Sequence, residues 1–418
     1  MQGHVRKRHR PTCARKGDKT RSCNCDGPYQ GRFRDPLDKS KSHEKTFRTK
    51  RDAEDWLQAQ QGSQLRGDWI SPRAGDRPFR EVVTAWQESW VGRLSPTTER
   101  RYCSILNTYL LPTFGATPIS RITHEVVQRY VNGLVAEKKE DGAPAHAPGT
   151  VRNVYAVLRT ALAKGVRLGM LKANPCTALD LPRATREEML FLTAYEVQAL
   201  AEAIDPQYRV LVYTAAYTGL RAGELAGLQR GDVDLLLGVV HVRRALKDVN
   251  GRLELGPTKT HAQRTVSLPA FLRDMLREHL SRPAPGGTGP DASVFTMKGG
   301  APLRHGLVYN RYFRRAVAGY TLRGKKVPGA LPAHLHGLRF HDLRHTCAAL
   351  SIAAGAHPKL IASRLGHSTI QITLDRYGHL FPSVEEALAD ALDAAFAAEA
   401  EATPTNSKIV HLTDGQYS

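Results

Sequence analysis

Long apolar runs are missing from this 418-residue chain, and nothing approaches the roughly 20 consecutive apolar residues of a membrane-spanning helix. The basic first residues have no apolar run behind them, so no secretory leader is expected. Cysteine is scarce. Its six irregularly spaced copies exclude a disulfide framework and fit a reducing cytoplasm. No internal repeat is visible. Acidic residues are also short, 40 against 60 Lys and Arg, which leaves a formal net charge of +20 and a pI near 9.9. Such an excess points to a polyanionic partner, and without a membrane segment nucleic acid is favoured over a lipid surface.

What is present divides into parts. The first 50 residues hold 15 Lys or Arg against 5 Asp or Glu, and few apolar residues occur before Phe33. Residues 27–34 and 45–48 read as short strands. Thr49 then caps a helix with Ala53, Trp56 and Leu57 on one face. This supports a small β-plus-helix module in residues 1–75, with a disordered basic tail as the competing reading. Cys13, Cys23 and Cys25 lie there near His4 and His9. Cys-x9-Cys-x-Cys is not a common zinc spacing, so free thiols are expected over a metal site.

Residues 71–78 read as a linker, and from Phe79 the apolar period becomes helical. Phe79, Val82, Val83, Trp86 and Trp90 share a face. Ser95 and Pro96 open a second helix, Thr123 a third, and a Gly/Pro/Ala loop over 141–149 precedes a fourth with Val151, Val154, Leu158 and Leu162. Residues 76–182 are therefore expected as a compact four-helix domain, with Arg100, Arg101, Arg152 and Arg159 on its outer faces. After a proline-bearing linker, Thr193-x-x-Glu196 is a capping box. Residues 239–242, 253–255 and 265–268 read as three strands, with a hairpin turn at Asn250-Gly251 between the first two. Residues 320–337 read as a surface loop. The expected fold is multidomain and mainly α, with a mixed α+β domain over 183–400 holding a small three-stranded antiparallel sheet. Residues 401–418 read as a disordered tail.

Four short stretches carry chemistry. Arg221 stands in Thr218-Gly219-Leu220-Arg221-Ala222-Gly223-Glu224-Leu225, where a glycine turn meets a helix start. Lys259 precedes the third strand, with Lys247 nearby. His341 and Arg344, three apart in His341-Asp342-Leu343-Arg344-His345-Thr346, share a helix face. His367 follows Leu365-Gly366 and precedes a second capping box, Ser368-x-x-Gln371. Tyr377 nears the end of that short helix as a mobile nucleophile. A cationic pocket holding a phenol suits a phosphodiester. Fixed cations can stabilise the charge that gathers on the non-bridging oxygens in the transition state without any metal.

These motifs resemble the tyrosine recombinases, the phage-type integrases, over residues 193–381. The four-helix domain resembles the family's core-binding domain, and the N-terminal module its arm-binding domains. The resemblance implies a catalytic set of Arg221, Lys259, His341, Arg344, His367 and Tyr377. In it Tyr377 attacks the scissile phosphate to form a 3′-phosphotyrosyl link, and Arg221 and Arg344 clamp the non-bridging oxygens. Lys259 acts as general acid to the leaving 5′ oxygen, His341 assists proton transfer and His367 hydrogen-bonds the phosphate. Glu224 orients the Arg221 region. His345, His379, His334 and His336 fall outside the set and read as surface or supporting residues. The resemblance further implies double-stranded DNA with core-type and arm-type attachment sites and a homo-tetramer passing through a Holliday junction. It implies no cofactor, a bacterial cytoplasmic setting, and room for a directionality factor and a host DNA-bending protein. A helix over 383–400, with Val384, Leu388, Leu392 and Phe396 in a stripe, packs on its own core or on a neighbouring protomer. The rivals are a type IB topoisomerase or resolvase activity and a non-catalytic architectural DNA-binding protein.

Overall fold

The computed structural model describes residues 3–13, 15, 23, 25–36, 38–66, 69–71, 73–183, 188–249, 251–258, 263–282, 286–381, 389 and 392–397. It divides into two compact units, residues 1–186 and 187–418. No helix among the described residues is long and apolar enough to cross a membrane.

The basic N-terminal stretch is folded. Strands β1 (Gly3–Lys7), β2 (Tyr29–Arg34) and β3 (Ser42–Phe47) form an antiparallel sheet in that order. Helix α1 (Lys50–Leu65) starts where the Thr49 hydroxyl accepts the Asp52 N–H, and it buries Ala53 and Leu57. The Trp56 ring lies 5.3 Å from Phe33 and 5.7 Å from Phe47, measured between centroids. Gly31 makes room for it, since a Cβ there would stand 3.0 Å from the indole. β1 escapes sequence reading because its residues, Gly-His-Val-Arg-Lys, carry no apolar pattern. It forms by backbone pairing with β2.

The second part of this unit is helical. α2 (Phe79–Glu88) buries Phe79, Val82, Val83 and Trp86. α3 (Pro96–Ile105), capped by Ser95, runs on through a π-turn (Leu106–Leu110) into α4 (Leu111–Phe114). α5 (His124–Ala136) is capped by Thr123. α6 (Pro148–Arg167) buries Val151, Val154, Leu158 and Leu162 in the common core. Each such side chain contributes about 1.5–3 kcal/mol on leaving water.

The second unit opens with α7 (Ala194–Ala203), where Thr193 and Glu196 form the expected capping box. α8 (Arg209–Thr218) ends on Gly219 at φ +67°, and α9 (Ala222–Ala226) follows. Five strands come next: β4 (Val233–Asp234), β5 (Val239–Val242), β6 (Arg244–Val249), β7 (Arg252–Pro257) and β8 (Arg264–Ser267). The three-stranded sheet differs from the expected one. Its order is β4–β5–β8, and residues 253–255 belong instead to a separate β6–β7 hairpin. The chain breaks between β5 and β6 because Arg243 and Arg244 both turn to the buried carboxylate of Asp232. The turn at Gly251 therefore joins β6 to β7, its N–H held by Asp248 at 2.9 Å.

α10 (Ala270–Ser281), α11 (His305–Val308) and α12 (Arg314–Ala318) pack beside this layer. Residues 320–337 are more than a loop. β9 (Gly319–Leu322) and β10 (Lys325–Pro328) make a hairpin that turns at Arg323 and Gly324, at φ +49° and +78°. Three helices complete the unit: α13 (Asp342–Ala353), α14 (Pro358–Leu365) and α15 (Ile370–Tyr377). Residues 383–388 of the expected C-terminal helix lie outside the described residues, with Val384 and Leu388 among them. Residues 392–397 are helical, and Leu392 and Phe396 are exposed. The architecture is thus a mixed helical and sheet fold with small antiparallel sheets.

Candidate active site

Two glycine turns build the floor of a cationic pocket. Gly219 ends α8 and Gly366 ends α14, both in the left-handed conformation, at φ +67° and +65°. Neither can carry a side chain. A Cβ on Gly219 would stand 2.4 Å from Leu365 Cδ2, and one on Gly366 about 3.1 Å from the Arg264 side chain.

Arg344, on the first turn of α13, is buried and joins the two turns. Its Nη1 donates to the Gly219 carbonyl at 2.6 Å and its Nη2 to the Leu365 carbonyl at 2.5 Å. A guanidinium has five N–H donors, so these bonds leave others free. Burial, and then the nearby charge of Arg221, pull its pKa to about 10, still cationic at neutral pH. Arg221, the residue before α9, donates Nη2 to the Gly366 carbonyl at 3.3 Å and Nη1 to Glu224 at 2.9 Å. The Glu224 carboxylate is fully buried. It also takes two bonds from Arg264, at 3.1 and 2.7 Å, and the Arg221 backbone N–H at 2.8 Å. Burial by itself would raise the Glu224 pKa, but Arg264 and Arg221 outweigh it and hold the group below its ordinary value.

The histidines and the phenol complete the site. His367 follows Gly366, and its Nδ1 is 2.8 Å from the buried Thr373 hydroxyl on α15. Burial, then Arg344 and Arg221, lower its pKa to about 4, so it is neutral at physiological pH. Tyr377, the last residue of α15, is buried among Cys347, Ile352, Ile361 and Leu365. Its hydroxyl lies 2.7 Å from Nδ1 of His345. Burial pushes the phenol pKa up, and the charges of Arg344 and Arg376 oppose that rise. His345 is pulled to about 4, first by burial and then by His341. The imidazole is therefore neutral, and in the tautomer protonated at Nε2 its Nδ1 accepts from the phenol. His341, the residue before α13, meets His345 edge-on, with ring centroids 5.4 Å apart.

The geometry draws Arg221, Arg344 and His367 together around Gly366, and sets Tyr377 and His341 against His345 on α13. Lys259 lies outside the described residues, which resume at Gln263, one residue before β8. Lys247 sits on β6, half-buried. The expected capping box at Ser368 is not formed. Thr369 precedes the helix without a side-chain cap bond, and Gln371 bonds Asp375 instead. His334 and His379 are exposed, and His336 holds the Leu331 carbonyl. Sequence reasoning underrated His345 and did not single out Arg264. His345 stands four residues after His341, one helical turn along the same face, and that spacing was the available signal. Arg264 gave none, because an arginine opening a strand looks like any solvated charge.

Residues 190–383 match the model of the phage integrase family, and residues 78–135 match the phage integrase N-terminal SAM-like domain. The integrase of Mycobacterium phage L5 is 27% identical over 390 residues, covering 91% of this chain and 98% of the relative. Among solved structures, the Tn1549 transposon integrase in complex with transposon right end DNA superposes with a TM-score of 0.62 at 19% identity, over 76% of this chain and all of that one. A lambda integrase tetramer bound to a Holliday junction gives 0.50 at 20% identity, over 84% and 92%. The chain belongs to the phage integrase family and is a tyrosine-type site-specific recombinase.

Proposed function

We propose that Tyr377 is the nucleophile, that Arg221, Arg344 and His367 form its phosphate pocket, and that His341 assists proton transfer with Lys259 as general acid. One observation carries the reading: α13 holds both the buried Arg344, which joins the two glycine turns, and His345, on which the phenol rests. Cation and nucleophile are thereby referred to one rigid element. In the reaction, the Tyr377 oxygen bonds to the phosphorus of the scissile phosphodiester and the bond from phosphorus to the 5′ oxygen breaks. The phenol loses its proton, and Lys259 protonates the leaving oxygen. Free donors on Arg221 and Arg344 take the charge that develops on the non-bridging oxygens, inside a site where such bonds are stronger than in water. His367 adds a hydrogen bond from its remaining ring nitrogen. The phosphotyrosyl link keeps the energy of the phosphodiester, so attack by the 5′ hydroxyl of a partner strand reseals the DNA without ATP.

The organisation follows the same reading. Residues 1–75 bind arm-type sites, residues 76–182 bind the core site, and residues 183–400 carry out catalysis. Four copies act on double-stranded DNA through a Holliday junction, integrating or excising a phage or another mobile element in a bacterial cell. A directionality factor and a host bending protein assist at the attachment site. The test is incubation with a nicked substrate carrying the protein's own attachment site. A covalent protein–DNA adduct that is lost in Tyr377→Phe is expected. An adduct that persists in that variant overturns the assignment of the nucleophile.

A further inference from the structure

The loop that joins β1 to β2 contains few apolar residues, and none of its described residues belongs to a hydrophobic core. Its base is nonetheless fixed. The Arg8 N–H donates to the Pro28 carbonyl at 2.7 Å, one step beyond the last pair of the β1–β2 ladder. Gly27 lies so close to Arg8 that a Cβ would fall 2.1 Å from its carbonyl oxygen. Arg10 and Asp26 pair across the same neck at 2.7 Å. The two limbs of the loop therefore run side by side, with His9 on the outgoing limb facing Cys25 on the returning one. Cys13 and Cys23 come in above them.

The four side chains meet at one point. His9 Nδ1 lies 3.6 Å from Cys13 Sγ, 3.2 Å from Cys23 Sγ and 3.4 Å from Cys25 Sγ. The sulfurs of Cys13 and Cys23 are 3.1 Å apart, and all four ligand atoms fall within 4.8 Å of one another. A tetrahedral zinc, with Zn–S about 2.3 Å and Zn–N about 2.0–2.1 Å, has ligand–ligand edges of roughly 3.5–3.8 Å. The His9–sulfur edges, 3.2–3.6 Å, are close to that figure, and the Cys13–Cys23 edge is shorter, so binding would part these two sulfurs by a few tenths of an ångström. Three cysteines and one histidine also make up a closed, structural zinc set. A disulfide between Cys13 and Cys23 would not account for His9 and Cys25 converging on the same point, and 3.1 Å is well beyond the S–S bond length of about 2.05 Å. The unfamiliar spacing in sequence is no obstacle, because pairing of β1 with β2 brings the limb that carries His9 beside the limb that carries Cys25.

We propose that His9, Cys13, Cys23 and Cys25 bind one Zn²⁺ ion that closes the β1–β2 loop. The three thiols lose their protons on binding, and His9 coordinates through Nδ1. The ion takes the place of the missing core: its binding energy becomes folding energy for the loop. It would present the basic residues of this stretch, among them Arg8, Arg10 and Arg15, on a fixed frame. Metal binding itself does not depend on the module's assignment to arm-type DNA.

The test uses full-length protein carrying no metal-affinity tag, purified under reducing conditions. Elemental analysis should find about one zinc per chain in the wild type and in Cys103→Ser, and well below half of that in His9→Ala and Cys25→Ser. Wild-type protein stripped by chelator and loaded with Co²⁺ should show the charge-transfer and d–d absorption of a tetrahedral cobalt thiolate, which is independent of whether the variants fold. Protein without zinc and without that spectrum overturns the proposal. So does a Cys13–Cys23 disulfide found in protein alkylated inside the cells, or equal zinc loss in Cys103→Ser and Cys25→Ser.

Discussion

The Tyr377 hydroxyl and Nδ1 of His345 are hydrogen-bonded at 2.7 Å, and both side chains are buried. The phenol therefore rests on a neutral imidazole, and the proposed attack on a phosphate requires it to leave that contact. Replacing His345 by Leu removes the acceptor and strands a buried hydroxyl, which costs about 1–3 kcal/mol. His345→Asn places a carbonyl oxygen near the lost Nδ1 and should restore most of that stability. Calorimetry of the two variants reads the difference directly, and equal thermal midpoints would show that the contact does nothing for the fold. Tyr377→Phe should abolish the covalent adduct while lowering the midpoint only slightly.

Glu224 anchors both Arg221 and Arg264. Glu224→Gln keeps its shape but leaves two guanidiniums near one another without their buried countercharge. Breaking one side of such a pair typically costs about 3–5 kcal/mol. A large fall in the denaturant midpoint is expected, together with loss of adduct formation as Arg221 loses its orientation. A stable Glu224→Gln protein that cleaves at the wild-type rate would contradict this account.

Stability should depend on pH in a direction set by His345 and His367. Both are held near 4 in the folded chain, mainly by burial, against an ordinary value of 6.5. Between those values the unfolded chain binds protons that the folded chain does not. Stability is therefore whole above about 6.5, falls as the pH drops toward about 4, and levels off below that. Urea midpoints at roughly pH 7.5 should exceed those at roughly pH 5, and His367→Gln should flatten the difference. A wild-type midpoint that does not change with pH would rule out the buried neutral histidines.

The helical parts and the catalytic motifs could be read in advance because their signals are local. Ser95, Thr123 and Thr193 cap the helices they were expected to cap, and the apolar stripe from Phe79 to Trp90 is buried. The sheet was harder. The break at Arg243 depends on Asp232, eleven residues away, and no periodicity records such a pairing. The Glu224–Arg264 bond spans forty residues, and the Arg344–Gly219 bond 125. Contacts of that kind are made by the fold and leave no trace in spacing. β1 shows the same limit, since its partner supplies the whole reason for its existence.

The N-terminal module should separate from the chemistry. A chain lacking residues 1–75 should still form the adduct on a core-site substrate and should fail to integrate. Integration by the truncated chain would overturn the arm-binding assignment. Affinity of the full chain for its attachment site should fall steeply with added salt, as expected when many phosphates are neutralised, and the truncation should make that slope shallower.

Arg344 and Tyr377 are secured in different currencies. The arginine is held by main-chain carbonyls of Gly219 and Leu365, which every amino acid possesses, so drift in neighbouring side chains leaves its grip intact. The tyrosine is held by one side chain, which a single codon can change. On the proposed reading, substitutions at position 345 retune the release of the phenol, while the place proposed for the phosphate stays written into the path of the backbone.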